Sequence, residues 1–92
     1  ELLGERVARL EARLGYAHKG VLALVLGKSP RAAARFAARL AGEATVAHSI
    51  AFARATEAAS ECEVPPRAAA WRDIMVEVER ISCHLDASAT LA

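Results

Sequence analysis

Three histidines and two cysteines are the side chains of this sequence with the widest range of chemistry. Cys62 and Cys83 lie far apart and lack the close spacing of metal ligands, so we interpret them as reduced thiols. The histidines are His18, His48 and His84, and none has an H-x-x-x-H or E-x-x-H partner at metal-site spacing. For each histidine taken alone, a structural role is the favoured interpretation.

Charged side chains offer a second kind of site. Ion pairs between helices could involve Glu57, Glu77, Glu79 and Arg80, although charges on helix surfaces usually face solvent. A basic stripe with i, i+4 spacing is likewise interpreted as a solvated face before a docking surface; it contains Arg31, Arg35 and Arg39. No Gly-rich phosphate loop, nucleophile elbow or C-x-x-C motif is present. The residues alone therefore predict a helical domain and no reaction.

The longest predicted element covers Val64 to Leu85, and the tail from Asp86 to Ala92 continues it. Pro65 and Pro66 indicate a helix start, because proline in the first turn loses no intrahelical hydrogen bond. Apolar side chains then recur at intervals of three and four, which places them on one stripe of a helix. The stripe contains Trp71, Ile74, Val78, Ile81 and Leu85, widened by Met75. We expect the other helices to pack on this stripe and to bury most of Trp71.

Two shorter helices are predicted nearer the N-terminus. Tyr16 to Leu26 is apolar on all sides, which is typical of a buried helix, and Gly27 ends it. Ser29 and Pro30 start the next helix, because Ser caps the N-terminus and Pro takes the first helical position. This second helix covers Arg31 to Leu40. Its inward side chains are expected to be Phe36 and Leu40.

A third helix is predicted from Thr45 to Cys62, after Gly42 ends or kinks the second. One of its faces carries Val46, Ile50, Ala53 and Glu57. Helices joined by short turns favour antiparallel neighbours. The predicted fold is therefore all-α, a small bundle of about four helices with a short N-terminal strand left open.

Residues 1–14 are compatible with two structures. Apolar residues alternate with Arg and Glu from Ala8 to Leu14, a period of two that is typical of a half-buried strand. Val7, Leu10 and Leu14 also suit one side of a helix, and the residue types are good helix formers. A strand needs a partner and the sequence shows none, so the conformation stays open at this point.

Composition limits the size of the core and the kind of partner. The 92 residues make one domain, or a piece of a larger protein, and the first residue is Glu rather than Met. Apolar residues are 54% of the chain, but many are Ala and only 4% are aromatic, which predicts a thin core. The net charge of +1, with acids and bases interspersed, argues against a nucleic-acid surface. The best apolar run, Val21 to Leu26, is far too short for a membrane span.

Four segments, in register, resemble one protein family. Leu14 to Gly20 is similar to L-G-Y-x-H-R-G, and Arg39 to Phe52 is similar to R-I-C-G-I-C-S-V-A-H-S-L-A-F. Glu57 follows at the same spacing, and the last helix is similar to E-V-P-x-R-A-x-x-L-R-x-I-x-x-E-L-E-R-I-x-x-H-L. These patterns resemble the large subunit of membrane-bound nickel–iron hydrogenases and formate hydrogenlyase, and the hydrogenase-like subunit of respiratory complex I.

The resemblance implies a nickel site with C-x-x-C ligands, since thiolates are soft ligands that suit this metal. At the first motif this chain has Ala41 and Ala44, which have no ligand atom, so the resemblance implies no metal here. The complex I subunit has also lost these cysteines, and its cleft is adapted to quinone. A quinone-contacting tyrosine of that subunit corresponds to Phe52, which lacks a hydroxyl donor. The candidate wall of the cofactor cleft is His18, His48 and Phe52.

The resemblance further implies that residues 1–92 are a single helical domain, an N-terminal fragment of a hydrogenase-like or NADH–quinone oxidoreductase-like large subunit. The fragment is expected to hold no cofactor and to be inactive alone. The parent would act with quinone, using electrons derived from NADH or ferredoxin, beside a neighbouring iron–sulfur cluster. Expected partners are an iron–sulfur subunit and a second copy of the fragment, without nucleic acid or a transmembrane segment. The expected location is the cytoplasm, with contact to the inner membrane only through partner subunits. The alternative is a non-catalytic structural or assembly module.

Overall fold

The computed structural model describes residues 2–15 and 17–91. The chain begins with a hairpin of two antiparallel strands, β1 (Leu2–Leu3) and β2 (Arg6–Val7). Gly4 in the turn has a φ of 62°, which glycine adopts without steric cost. The segment from Ala8 to Leu14 is exposed and forms neither strand nor helix. Its alternating pattern makes no strand because no described residue pairs with it.

The apolar helix α1 (Val21–Val25) is shorter than predicted and packs beside α2 (Pro30–Ala37). Tyr16, at the predicted start, lies outside the described residues. The predicted burial of this helix is wrong, since Leu22 is 72% exposed and no residue of α1 is buried. The reason is that, among the described elements, α2 is the only one that contacts α1, so most of its circumference stays open.

The predicted start of α2 is confirmed in atomic detail. Ser29 is the N-cap, and its hydroxyl oxygen accepts a hydrogen bond from the Ala32 N–H at 3.4 Å, while Pro30 takes the first helical position. The buried side chains of α2 are Ala33 and Ala37. Phe36 is half-buried and Leu40 is exposed, so the inward orientation predicted for Leu40 is wrong.

The helix α3 (Thr45–Ala59) lies at the centre of the fold, after a 3₁₀ turn at Gly42–Ala44. It contacts α2 on one side and α4 (Pro66–Leu91) on the other. The predicted inward face is confirmed, with Ile50 buried and the rest half-buried: Val46, Ala53 and Glu57. The other helices therefore pack on α3, and the expectation that they pack on the last helix is wrong.

The last helix, α4, starts at the predicted prolines and continues through the tail, over 26 residues and about 39 Å. The side that packs inward consists of half-buried residues: Ala68, Ala69, Arg72, Val76, Glu79 and Cys83. The predicted burial of the apolar stripe is wrong, because Trp71 is 56% exposed and the rest of the stripe is at least half exposed. The stripe is open because α3 contacts the side of α4 on which Arg72 and Glu79 find hydrogen-bonding partners.

The described chain is elongated, measuring 54 × 32 × 18 Å with a radius of gyration of 17.8 Å. A compact domain of this length has a radius of gyration of about 12 Å. The fully buried apolar side chains among the described residues are Ala33, Ala37 and Ile50, which confirms a thin, alanine-rich core. The all-α class is confirmed, as an open arrangement of four helices. No described helix is both long and apolar enough to span a membrane.

Candidate functional site

The start of α3 is held by a side chain from the far end of the chain. The Glu79 carboxylate accepts hydrogen bonds from the Val46 N–H at 2.6 Å and from the Ala47 N–H at 2.8 Å. These N–H groups need an acceptor because Ala44, the residue that precedes α3, has no side-chain oxygen with which to cap the helix. A carboxylate suits this position since it also complements the positive end of the helix dipole.

The 3₁₀ turn itself is held by a second contact from α4. The Cys83 thiol lies 2.9 Å from the carbonyl oxygen of Glu43 and donates to it. Within the turn region, the Thr45 hydroxyl donates to the Gly42 carbonyl at 3.2 Å. We call the 3₁₀ turn Gly42–Ala44, together with Glu79 and Cys83, the turn site. Its two contacts from α4 come from residues one helical turn apart on that helix, and together they hold the backbone of the turn.

A cavity of about 510 Å³ opens between the turn site and α4. Its apolar wall comes from the exposed side of α4 and from Val46, and its polar groups are carboxylates, a hydroxyl and the Cys83 thiol. The residues that line it are Gly42, Glu43, Val46, Ile74, Met75, Val78, Glu79, Ser82, Cys83 and Asp86. The cavity thus combines an apolar surface with acidic groups beside a helix start.

Ala41 and Ala44 bracket the 3₁₀ turn, and both are half-buried. Their methyl groups provide no lone pair for a metal at the two positions where the related motif has cysteine. Within residues 2–15 and 17–91, no group of three or more His, Cys, Asp or Glu side chains is arranged to hold a metal ion. The donor set around this turn therefore does not fit a nickel centre.

An ion pair joins the middle of α3 to the first half of α4. The Arg72 guanidinium donates to both carboxylate oxygens of Glu57, at 2.6 and 2.7 Å, and both side chains are about three-quarters covered. The hydrogen bond from Arg72 lowers the pKa of Glu57, helped by the positive charges of Arg72 and Arg54 and opposed by desolvation. The same hydrogen bond raises the pKa of Arg72. Bidentate geometry of this kind fixes the angle between the two helices.

The other predicted ion-pair residues behave differently from Glu57. Glu77 pairs with Arg80 within α4 at 2.5 Å, and both side chains are exposed. Glu79 forms no ion pair in the described structure and binds the backbone of α3 instead. The sequence interpretation missed this role. The signal for it was the alanine before Thr45, which leaves the first N–H groups of a clearly predicted helix without a local acceptor.

The predicted cleft residues lie on two different elements. His48 and Phe52 are half-buried and one turn apart on α3, and Phe52 lines a groove between α2 and α3. His18 is exposed before α1, where its Nδ1 accepts the Gly20 N–H at 3.0 Å. His84 is exposed on α4. Their assignment as the wall of a cofactor cleft stays a prediction.

The sequence matches the family model for nickel-dependent hydrogenase over residues 19–86. The chain belongs to the nickel-dependent hydrogenase family. The resemblance seen in the four sequence segments is thereby confirmed, and the family match spans the whole helical part of the structure from α1 to most of α4. The turn site lies inside the matched range.

Several relatives of this nickel-dependent hydrogenase family chain are components of hydrogenases or of NADH–quinone oxidoreductases. It is 36% identical over 83 residues to hydrogenase-4 component G of Escherichia coli K12, covering 89% of this chain and 15% of that protein. It is 36% identical over 85 residues to a subunit of the NADH-quinone oxidoreductase of Campylobacter curvus, covering 92% and 21%. It is 34% identical over 82 residues to the alpha subunit of the membrane-bound hydrogenase of Pyrococcus furiosus, covering 89% and 19%.

The chain thus spans between about a seventh and a fifth of the length of these relatives. No solved structure matches it.

Proposed function

We propose that this chain is part of the large subunit of a hydrogenase-like or NADH–quinone oxidoreductase-like electron-transfer complex in which the nickel site is lost. The observation that supports the proposal is the identity of Ala41 and Ala44 within a segment that otherwise follows the family pattern. Nickel requires thiolate ligands in this family pattern, and a methyl group cannot replace them. No chemical step is therefore assigned to nickel in this chain.

The proposed contribution of the chain is structural support for one side of a cofactor cleft. Glu79 and Cys83 hold the turn at which the related motif would present its ligands. His48 and Phe52 on α3 would form the adjoining wall, together with His18. The cofactor chemistry would come from quinone and from an iron–sulfur cluster in a neighbouring subunit. The fragment alone would hold neither group and would be inactive.

The proposed partners follow from the same family relationship. An iron–sulfur subunit would bind the parent, and the parent would lie in the cytoplasm and reach the inner membrane only through its partner subunits. The exposed stripe of α4 is a contiguous apolar surface, and such surfaces usually mark interaction sites. We propose that, in the isolated chain, a second copy covers this stripe.

The loss of nickel is tested by metal analysis. The untagged 92-residue chain would be purified from nickel-supplemented cells, dialysed and analysed for metals. We expect no nickel to be retained. The matched control is Ala41→Cys/Ala44→Cys, which restores two thiolates at the same turn and should increase nickel retention over the natural chain. Stoichiometric nickel in the natural chain after dialysis would refute this part of the proposal.

The alternative is a non-catalytic structural or assembly module, and it is favoured by the same two alanines together with Phe52. Co-expression with the iron–sulfur subunit of the same genome discriminates the two. A stable complex that reduces a quinone analogue supports the redox subunit. A stable complex with no electron transfer supports the module.

A further inference from the structure

The charges of this chain are divided between its two halves. Between Glu11 and Glu43 there are six Lys or Arg residues and no Asp or Glu. From Glu43 to the end there are eight acidic and four basic residues. The overall charge of +1 therefore conceals a basic part, formed by α1 and α2, and an acidic part, formed by α3 and α4.

The arginine stripe of α2 is exposed and has no acidic partner. Side chains four residues apart lie on one side of a helix, about 6 Å from each other along its axis. Three arginines follow this spacing and form no ion pair with any residue in the described part of the chain: Arg31, Arg35 and Arg39. In contrast, Arg54, Arg72 and Arg80 on α3 and α4 each pair with a carboxylate.

An aromatic ring holds part of this stripe in place. The Arg35 guanidinium lies 4.8 Å from the centre of the Phe36 ring, and the Lys28 ammonium lies 5.8 Å from it. Cation–π contacts of this kind restrict a long side chain without neutralising its charge. Arg35, Phe36 and Arg39 also enclose a recess of about 170 Å³. The guanidinium groups are therefore partly ordered before any partner binds.

A groove of about 1070 Å³ runs beside the stripe, between α2 and α3. Arg31 and Arg35 form its basic edge, and its apolar lining includes Ala34, Ala38 and Phe52. Small side chains let another helix approach closely, because ridges of larger side chains can enter between them. The groove therefore offers an apolar floor with a row of cations along one edge.

We propose that this arginine-edged groove docks an acidic amphipathic helix of a partner protein. Such a helix would place apolar side chains on the alanine floor and carboxylates, four residues apart, against the arginines. Arginine suits this task because its planar guanidinium binds a carboxylate through two parallel hydrogen bonds. The proposal does not depend on a redox role, since an assembly module would carry the same groove.

A second copy of the chain fits the groove less well than a foreign helix. The exposed acidic residues of α4 closest to the required spacing are Asp73 and Glu77, and both already pair with arginines, Arg54 and Arg80. Docking a second α4 would have to break these pairs. The partner is therefore a different protein whose carboxylates are unpaired.

The test uses a synthetic helical peptide with one apolar face and three glutamates at i, i+4 and i+8 along its edge. NMR titration into the ¹⁵N-labelled chain should shift backbone signals of α2 and of the facing side of α3. Arg31→Glu/Arg35→Glu should weaken binding by about tenfold or more, because the charges then repel. The matched control, Arg6→Glu/Arg67→Glu, makes the same change in net charge at two exposed sites elsewhere and should bind nearly as the natural chain does.

Circular dichroism would confirm that the variants keep their helices, and Arg31→Gln/Arg35→Gln provides a milder pair that should weaken binding to a smaller extent. The proposal is overturned if the peptide causes no shifts, if shifts fall outside the groove, or if a lysine version binds equally well. It is also overturned if duplex DNA or vesicles with anionic phospholipids bind the same arginines more tightly than the acidic peptide.

Discussion

At the scale of single residues, Glu79 is the side chain that most strongly determines the local structure. Its two oxygens bind two successive N–H groups of α3, and these groups lie 33 and 32 residues earlier in the chain. A helix start without a local cap is normally frayed. The carboxylate therefore replaces the missing cap and at the same time fixes the distance between α3 and α4.

Replacing Glu79 should destabilise the chain. Glu79→Ala removes two charge-assisted hydrogen bonds and leaves half-buried donors unpaired, so we expect a loss of about 1–3 kcal/mol of unfolding free energy. Urea unfolding followed by circular dichroism measures this value. The matched control is Glu77→Ala, two residues away on the exposed side, which should change stability by less than about 0.5 kcal/mol. Equal effects of the two substitutions would contradict the capping role.

The Glu57–Arg72 pair makes stability depend on pH. Because hydrogen bonding from Arg72 lowers the pKa of Glu57 in the folded chain, the folded state binds fewer protons than the unfolded state near the ordinary value of 4.5. The stabilisation is fully present above that value and is lost as the pH falls through the lowered pKa. Urea midpoints between pH 6 and pH 2.5 should therefore fall more steeply for the natural chain than for Glu57→Gln. Glu63→Gln, at an exposed site, should follow the natural chain; if it behaves like Glu57→Gln, the assignment is wrong.

At the scale of elements, the helices were predictable but the sides on which they pack were not. Ser29 and Pro30, and the prolines before α4, act on their own neighbours, so local chemistry was enough to place both helix starts. Which side of α4 is buried depends on what α3 offers, and α3 offers a carboxylate for Arg72 and unpaired N–H groups for Glu79. Periodicity alone points to the apolar stripe and misses both contacts.

The same limit applies to the candidate site. The two alanines at the ligand positions could be identified from the sequence, because the segment around them follows a known pattern. The contacts from Glu79 and Cys83 to the turn could not, since each joins residues more than thirty positions apart. The failure at residues 8–14 has the same origin, because a strand depends on a partner that lies elsewhere.

A pair of substitutions tests which helix side is the core. Trp71→Ala should change unfolding free energy by less than about 1 kcal/mol, because the side chain is more than half exposed. Ile50→Ala removes the buried side chain of the central helix α3 and should cost about 2–4 kcal/mol. The fluorescence of Trp71 should be red-shifted, as for a tryptophan in water. A blue-shifted spectrum together with a large loss in Trp71→Ala would show that the stripe is buried.

At the scale of the whole molecule, the elongated shape and the open apolar stripe belong together. A radius of gyration of 17.8 Å means that much of each helix faces outward, so apolar residues of α1 and α4 lack cover within the described chain. The charge division adds a second asymmetry, with unpaired arginines on α2 and paired carboxylates on α4. Both features are typical of a part that is completed by neighbours.

We expect the isolated chain to self-associate through the stripe. Sedimentation velocity at increasing concentration should show a dimer or larger species, and Val78→Glu/Ile81→Glu should shift it towards the monomer, because two charges in an apolar contact are costly to bury. Ala51→Glu/Ala55→Glu adds the same charge to the exposed side of α3 and serves as the control. A monomer at all concentrations in the natural chain would contradict the expectation.

The cap that Glu79 provides also has a consequence for the order of folding. During synthesis α3 emerges before the residue that completes its first turn, so its N-terminal N–H groups have no protein acceptor until α4 has been made. The sequence separation makes this a slow, non-local step compared with the closing of a local cap. The start of α3 and the turn at Gly42–Ala44 are therefore the last parts of the helical region to acquire their final structure, and any nascent chain that ends before Glu79 leaves them unfinished.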